Sequence, residues 1–172
     1  MVTPAFRRFM AFQVHRARQH FARVASAEAP GDLRVENEMR RQPAERTAGG
    51  RTVLHVDDNP ANLKLVERIL ERLPGATLLS AMQGRVGLEL AREHLPDLIL
   101  LDLHLPDRSG QEVLLSLLGD PTTSDSPVVV LSADAVPGTA RELLDAGATE
   151  YVTKPIDVPS FLRLLGGILG DG

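Results

Sequence analysis

Five residues of this 172-residue chain have the types and positions to do chemistry together: Asp57, Asp58, Asp102, Ser132 and Lys154. Each lies at or just after the end of a short apolar run, namely Thr52–Val56, Leu98–Leu101, Val128–Leu131 and Tyr151–Thr153. Such runs read as buried parallel strands. In an open parallel sheet the C-terminal strand ends share one edge, and ligands bind in the crevice there. The separations of 44 residues from Asp58 to Asp102, 30 to Ser132 and 22 to Lys154 correspond to whole strand–helix units, which puts all five on that edge. Three carboxylates, a hydroxyl and an ammonium converging on one point suit a divalent cation and a phosphoryl group.

Each residue also has a plain structural reading. Adjacent carboxylates such as Asp57 and Asp58 repel unless a cation sits near; at a strand end they can hold Mg²⁺, with waters and a phosphate completing its shell. Alone, they read as a helix cap beside a solvated Asp. Asp102 ends an apolar strand, so it is buried on its strand side and reachable only at the edge. There it can ligate metal and attack phosphorus, giving an aspartyl phosphate, or simply accept backbone N–H bonds at a loop start. Ser132 can donate to a phosphoryl oxygen, with small Ala133 leaving access, or bond its own turn. Lys154 can pair with a carboxylate before reaction and with a phosphoryl oxygen after it, or be a surface lysine before a helix-starting proline. Pro155 is a candidate for a cis peptide. Singly the plain readings hold; jointly, on one edge, the five point to phosphoryl chemistry.

The elements that must position these residues alternate. Strand one is Thr52–Val56, followed by a helix with Asn59 as N-cap, Pro60 in its first turn and an apolar face of Leu63, Val66, Ile69, Leu70 and Leu73, stopped by Pro74-Gly75. Strand two is Thr77–Ser80 and helix two Gln83–His94. Strand three is Leu98–Leu101 and helix three Gln111–Leu118, with Pro106 and Gly110 shaping the turn between them. Strand four is Val128–Leu131, helix four Pro137–Ala146, closed by Gly147, strand five Glu150–Thr153 and helix five Val158–Leu169. Five such units imply an α/β fold: a doubly wound, five-stranded parallel sheet with helices on both faces.

Composition narrows the function further. The chain has no cysteine, which excludes disulfides and thiolate metal sites. No stretch approaches the ~18 apolar residues of a membrane span. Lys64 and Lys154 are the only lysines, the remaining positive charge being arginine. Residues 1–50 hold nine Arg against five Asp/Glu, a net of +4, whereas residues 51–172 carry a net of −8, the two making the chain's −4. This asymmetry reads as an extension and linker over 1–50 and a domain over 51–172. The acidic domain argues against direct nucleic-acid binding, which needs a basic face. Residues 1–27 contain five Arg, no Asp or Glu and four of the five phenylalanines, with Phe6, Phe9, Met10, Val14, Ala17, Phe21 and Val24 recurring at helical spacing. They read as a weakly ordered extension or the remnant of a longer upstream protein, in preference to a basic amphipathic helix in membrane contact or an organelle presequence. Residues 28–50 read as a linker with one helical stretch near Leu33–Arg41.

The motif set of Asp57-Asp58, Asp102…Pro106…Gly110, Ser132-Ala133, Tyr151 and Lys154-Pro155 closely resembles the receiver domains of two-component response regulators, over residues 52–169. The resemblance implies the flavodoxin-like strand order 2-1-3-4-5. It implies that Asp102 accepts a phosphoryl group from a histidine kinase or histidine phosphotransfer domain. Mg²⁺ would be held by Asp57, Asp58, Asp102 and the His104 backbone carbonyl. Ser132, Ala133 and Lys154 would bind the phosphoryl group, and Ser132 and Tyr151 would form the switch pair. His104 and Asp134 would tune the lifetime of the phosphorylated state. The target would be a protein docking on the helix 4–strand 5–helix 5 face, and the location cytoplasmic. Such a protein is a phosphoacceptor that assists its own phosphotransfer and dephosphorylation rather than an enzyme. With the chain ending at Gly172 soon after helix five, it reads as a stand-alone receiver or the C-terminal receiver of a hybrid histidine kinase. Two alternatives are a haloacid-dehalogenase-like phosphatase, which would want an acid where His104 stands and a cap insertion, and a receiver-like docking module that is never phosphorylated.

Overall fold

Strand-forming runs and amphipathic helices alternate through the computed structural model, which describes residues 50–133 and 137–170. The proposed N-terminal extension, its helical stretch near Leu33–Arg41 and Asp134 lie outside the described residues. The order is β1 (Arg51–Val56), α1 (Pro60–Leu70), β2 (Ala76–Ala81), α2 (Gly84–His94), β3 (Leu98–Asp102), α3 (Gly110–Gly119), β4 (Val128–Ser132), α4 (Pro137–Ala146), β5 (Glu150–Thr153) and α5 (Val158–Leu169). The five strands are parallel and ordered β2-β1-β3-β4-β5, as expected. The central strands β3 and β4 are buried at every position, so alternation gives way to continuous apolar runs.

Strand alternation divides the core into two layers. Leu54, Val56, Ile99, Leu101, Val128 and Val130 meet α2, α3 and α4 on one face. Val53, Leu98, Leu100, Val129 and Leu131 meet α1 and α5 on the other, through Val66, Ile69, Phe161 and Leu165. Each such fully buried side chain contributes roughly 1.5–3 kcal/mol relative to exposure.

Local chemistry sets the boundaries. Asn59 caps α1, its side chain accepting from the Ala61 N–H at 2.9 Å. α1 ends at Leu70 rather than running to Pro74. The N–H groups of Arg72 and Leu73 turn back to the carbonyls of Ile69 and Leu70, which tightens the chain into a turn, and Leu73 packs from beyond the helix end. Ser109 and Glu112 form a reciprocal capping box at the start of α3. Asp157 caps α5 by accepting from the Ser160 N–H at 3.1 Å. Gly147 closes α4 with φ of 120°, a conformation that disfavours side chains. No helix among the described residues is long and apolar enough to cross a membrane.

Candidate phosphoryl-transfer site

Register places the acidic residues. Val56 pairs with Leu101, so the next residues, Asp57 and Asp102, stand level on neighbouring strands. Both are buried, Asp57 completely and Asp102 with 5% of its surface exposed. Lys154 follows β5, and its N–H donates to the Ser132 carbonyl at 2.7 Å, tying the ends of β4 and β5 together. Its peptide bond to Pro155 is cis, as anticipated. The Lys154 ammonium then lies between the two carboxylates, 2.7 Å from Asp57 Oδ2 and 2.6 Å from Asp102 Oδ1.

The other Asp102 oxygen, Oδ2, accepts the His104 N–H at 2.8 Å. That bond needs the loop after β3 to fold back. The Gly110 N–H donates to the Leu103 carbonyl at 2.8 Å, and a Cβ at position 110 would lie 2.2 Å from the Asp102 carbonyl oxygen. The loop is also fastened to α2. The Asp107 carboxylate accepts the N–H groups of Gly84 and Arg85 at 2.8 and 2.9 Å, capping a helix whose own Gln83 supplies no side-chain bond.

Asp57 sits among donors. Its Oδ1 accepts from the Asn59 N–H at 2.9 Å, and the Asn62 Nδ2 lies 3.0 Å from both carboxylate oxygens. His55 Nε2 is 3.6 Å from Oδ2, beyond hydrogen-bond length. Burial alone pushes the Asp57 carboxyl upward. His55, Lys154, Asn59 and Asn62 facing it more than offset that, holding it well below the usual carboxylate range. Burial likewise works against the Lys154 ammonium, and the carboxylates of Asp102 and Asp57 reverse that, so its pKa is raised. At neutral pH Asp57 and Lys154 are therefore ionised, and the same ammonium lies against Asp102 Oδ1.

The remaining residues fall into place unevenly. Ser132 is fully buried at the end of β4, and Ala133 beside it is exposed. Tyr151 is half-buried against the α2–α3–α4 layer, paired in register with Val130, two positions before Ser132. The His104 side chain is exposed, as is Asp58. Sequence reasoning missed Asn62, His55 and Asp107. Asn62 carried a usable signal, being one helical turn past the N-cap and so able to reach back over the strand end.

The donor set available to a metal ion is all oxygen, the carboxylates of Asp57, Asp58 and Asp102 with the His104 carbonyl, and suits a hard divalent cation such as Mg²⁺. Among the described residues, however, no three His, Asp or Glu side chains are gathered as a ready-made cage. Two of the three expected carboxylates meet on Lys154 while Asp58 stands exposed. Mg²⁺ commonly uses only one or two protein carboxylates and keeps several waters, so the set fits that ion without a full cage.

Residues 53–165 match the family model of the response regulator receiver domain. The chain is 38% identical over 121 residues to the polar-differentiation response regulator DivK of Brucella anthropi, covering 70% of this chain and 98% of that protein. Its fold is similar to the receiver domain of a sensor histidine kinase from Pseudomonas aeruginosa with a magnesium ion in its active-site cleft. There the TM-score is 0.64 and identity 28%, over 70% of this chain and 98% of the other. It is also similar to the Mn²⁺-bound response regulator Rcp1, with a TM-score of 0.59 and 27% identity over 69% of this chain and 91% of the other. The phosphatase reading is not favoured by these matches. With the strand order, the buried acidic residues and the lysine at one sheet edge, they establish that this chain belongs to the receiver-domain family of response regulators, signalling proteins of two-component systems.

Proposed function

We propose that Asp102 accepts a phosphoryl group from the phosphohistidine of a histidine kinase or histidine phosphotransfer domain. The observation carrying this reading is that Asp102 stands at the strand edge with one oxygen 2.6 Å from Lys154 Nζ and the other 2.8 Å from the His104 N–H. One Asp102 oxygen forms a bond to phosphorus as the donor's P–N bond breaks, and the imidazole leaves with that electron pair. Lys154 balances charge on the transferring group, and Ser132 Oγ and the backbone at Ala133 receive its oxygens. Mg²⁺, held by Asp57, Asp58, Asp102 and the His104 carbonyl, would neutralise phosphoryl charge when bound.

In this reading residues 51–172 are the receiver unit and residues 1–50 an extension, acting in the cytoplasm where the phosphodonor domains work. Ser132 and Tyr151 transmit the state of the site to a protein partner on the α4–β5–α5 face. A groove of about 400 Å³ there is lined by Tyr151, Pro155, Phe161 and Leu164. His104 and Asp134, neither of them apolar, are proposed to tune the lifetime of the phosphorylated state, making self-dephosphorylation moderately fast. Incubation with a small phosphodonor and Mg²⁺ should add the mass of one acid-labile phosphoryl group, and EDTA should prevent it. Equal labelling of Asp102→Asn in intact-mass spectra would sink the assignment and favour a docking module or a different acceptor.

A further inference from the structure

His55 is a polar residue where the fold has no evident use for one. It occupies the penultimate position of β1, an interior strand, between apolar Leu54 and Val56, and is fully buried. Among the described residues neither of its ring nitrogens has a hydrogen-bond partner. A leucine of similar volume would fill the space without burying two unsatisfied polar atoms, which natural interiors avoid. The ring is turned toward the site, with Nε2 3.6 Å from Asp57 Oδ2.

That oxygen has a donor it stands to lose. Lys154 Nζ is shared between Asp57 Oδ2 and Asp102 Oδ1. Once Asp102 becomes an acyl phosphate, its own carboxylate charge is gone and two negative charges appear on the phosphoryl oxygens, which draw the ammonium away. Apart from the Mg²⁺ ion that Asp57 would share with Asp58 and Asp102, His55 is the remaining donor near that oxygen, because Asp57 is fully buried and Asn62 is already engaged at 3.0 Å. A shift of about 0.7 Å brings Nε2 to ordinary N–H···O length. Resting on the phosphoacceptor reading above, we infer that His55 is a positioning residue that donates to Asp57 Oδ2 when Lys154 turns to the phosphoryl group. No change of charge is required, because a neutral imidazole has one N–H and tautomerism places it on Nε2. His55 thus favours the phosphorylated state over the unphosphorylated one, in which its nitrogens go unpaired.

The test compares wild type, His55→Leu and His55→Gln in the full chain, with a small phosphodonor and Mg²⁺. The steady-state phosphorylated fraction is read by intact mass, and the His55 ring nitrogens by ¹H–¹⁵N NMR. The ratio of phosphorylated to unphosphorylated protein should fall about tenfold in His55→Leu, the size of one hydrogen bond to a charged group. It should recover substantially in His55→Gln, which keeps an N–H donor, and the unphosphorylated melting temperature of His55→Leu should not fall. In wild type, phosphorylation should fix the N–H tautomer on Nε2 and shift that proton downfield. Unchanged phosphorylation in His55→Leu, equal losses in both variants, or ring signals indifferent to phosphorylation would each overturn the inference. If wild type labels normally in those cases, the phosphoacceptor reading survives; if wild type does not label, both fall. Should His55→Leu fail to fold, the wild-type ring signals decide alone.

Discussion

Lys154 holds apart two carboxylates that would otherwise face each other across a strand boundary. Its side chain is 17% exposed, so the pairs are partly desolvated, and removing one partner of such a pair typically costs 3–5 kcal/mol. We therefore expect Lys154→Met to lose roughly 3 kcal/mol in the absence of metal. Mg²⁺ at millimolar concentration should raise the melting temperature of wild type and raise that of Lys154→Met by more, since the ion then relieves an uncompensated repulsion. Asp58→Asn should diminish the rise in both. Thermal melts with and without Mg²⁺ check this, and equal responses in wild type, Lys154→Met and the Asp58→Asn form of each would remove the metal from the site. At this scale the sequence was readable where a residue's type broke its surroundings at a strand end, as with Asp57, Asp102 and Lys154. His55 broke its surroundings as clearly, but inside an apolar run, where one polar residue is easily absorbed into the strand pattern. The signal at Asn62 was easily passed over, because a polar residue in the first turn of a helix is unremarkable until the strand end beneath it is known.

Elements bring these residues together through close approaches that composition alone does not reveal. At Gly110 a Cβ would lie 2.2 Å from the Asp102 carbonyl oxygen and 2.6 Å from Leu103 Cα, both rigid backbone. Gly110→Ala should cost about 3 kcal/mol, at the upper end for overpacking, and lower the extent of phosphorylation by displacing the strand end. Gly138→Ala in α4 is the control: nothing among the described residues lies within 4 Å of its added Cβ, and a gain of about 0.5–1 kcal/mol is expected. Denaturant melts of both variants test the contrast, and similar effects would refute it. Farther from the site, Asp120 at the end of α3 accepts from Arg92 Nε at 2.7 Å and from the Thr122 N–H at 2.9 Å. Burial raises the Asp120 carboxyl, but Arg92 and Thr122 outweigh it and hold it below the ordinary range. A carboxylate whose pKa is depressed by folding stabilises the protein above its unfolded value near 3.9, and that stability is lost as pH falls through the folded value. Asp120→Asn should lower stability at pH 7 by about 1 kcal/mol, and the gap to wild type should close below about pH 4. A gap constant from pH 7 to pH 3 would contradict the assigned cause. Strand and helix identities were legible from periodicity, and the α4, β5 and α5 boundaries agree with the sequence reading. Ends such as that of α1 shifted because main-chain turns, invisible to side-chain patterns, close the helix before its proline.

In the whole molecule, the sheet separates the site into two jurisdictions. Asp57 and Asp102 belong to the α1–α5 side by strand alternation, while Tyr151 packs with the α2–α3–α4 layer. A phosphoryl group on Asp102 would therefore reach Tyr151 through residues that bridge the layers at the sheet edge, for which Ser132, fully buried beside Lys154's backbone anchor, is the proposed link. In the proposed switch, drawing the hydroxyl toward phosphate would free space for the Tyr151 ring, a two-state repacking biased by one hydrogen bond and one charge. Ser132→Ala should still accept phosphate but leave the NMR signals of α4, β5 and α5 largely unmoved. Phosphorylation-dependent shifts on that face equal to those of wild type would show that the signal takes another route. The order 2-1-3-4-5 followed from the family resemblance and the alternation of elements, whereas the division of the site between layers depended on register, which a single sequence leaves unstated.

The central claim is that one carboxylate among several at this edge takes the phosphoryl group, and chemical trapping tests it most directly. Borohydride reduces an aspartyl phosphate to homoserine, so phosphorylation with a small donor and Mg²⁺, reduction and peptide mass spectrometry locate the acceptor. Homoserine is expected at position 102 and at neither 57 nor 58, because Asp57 is fully buried among the donors Asn59, Asn62 and Lys154, while Asp102 keeps 5% of its surface open at the strand edge with Lys154 at 2.6 Å. Homoserine at position 57 or 58, or none anywhere in a correctly folded protein, would contradict it.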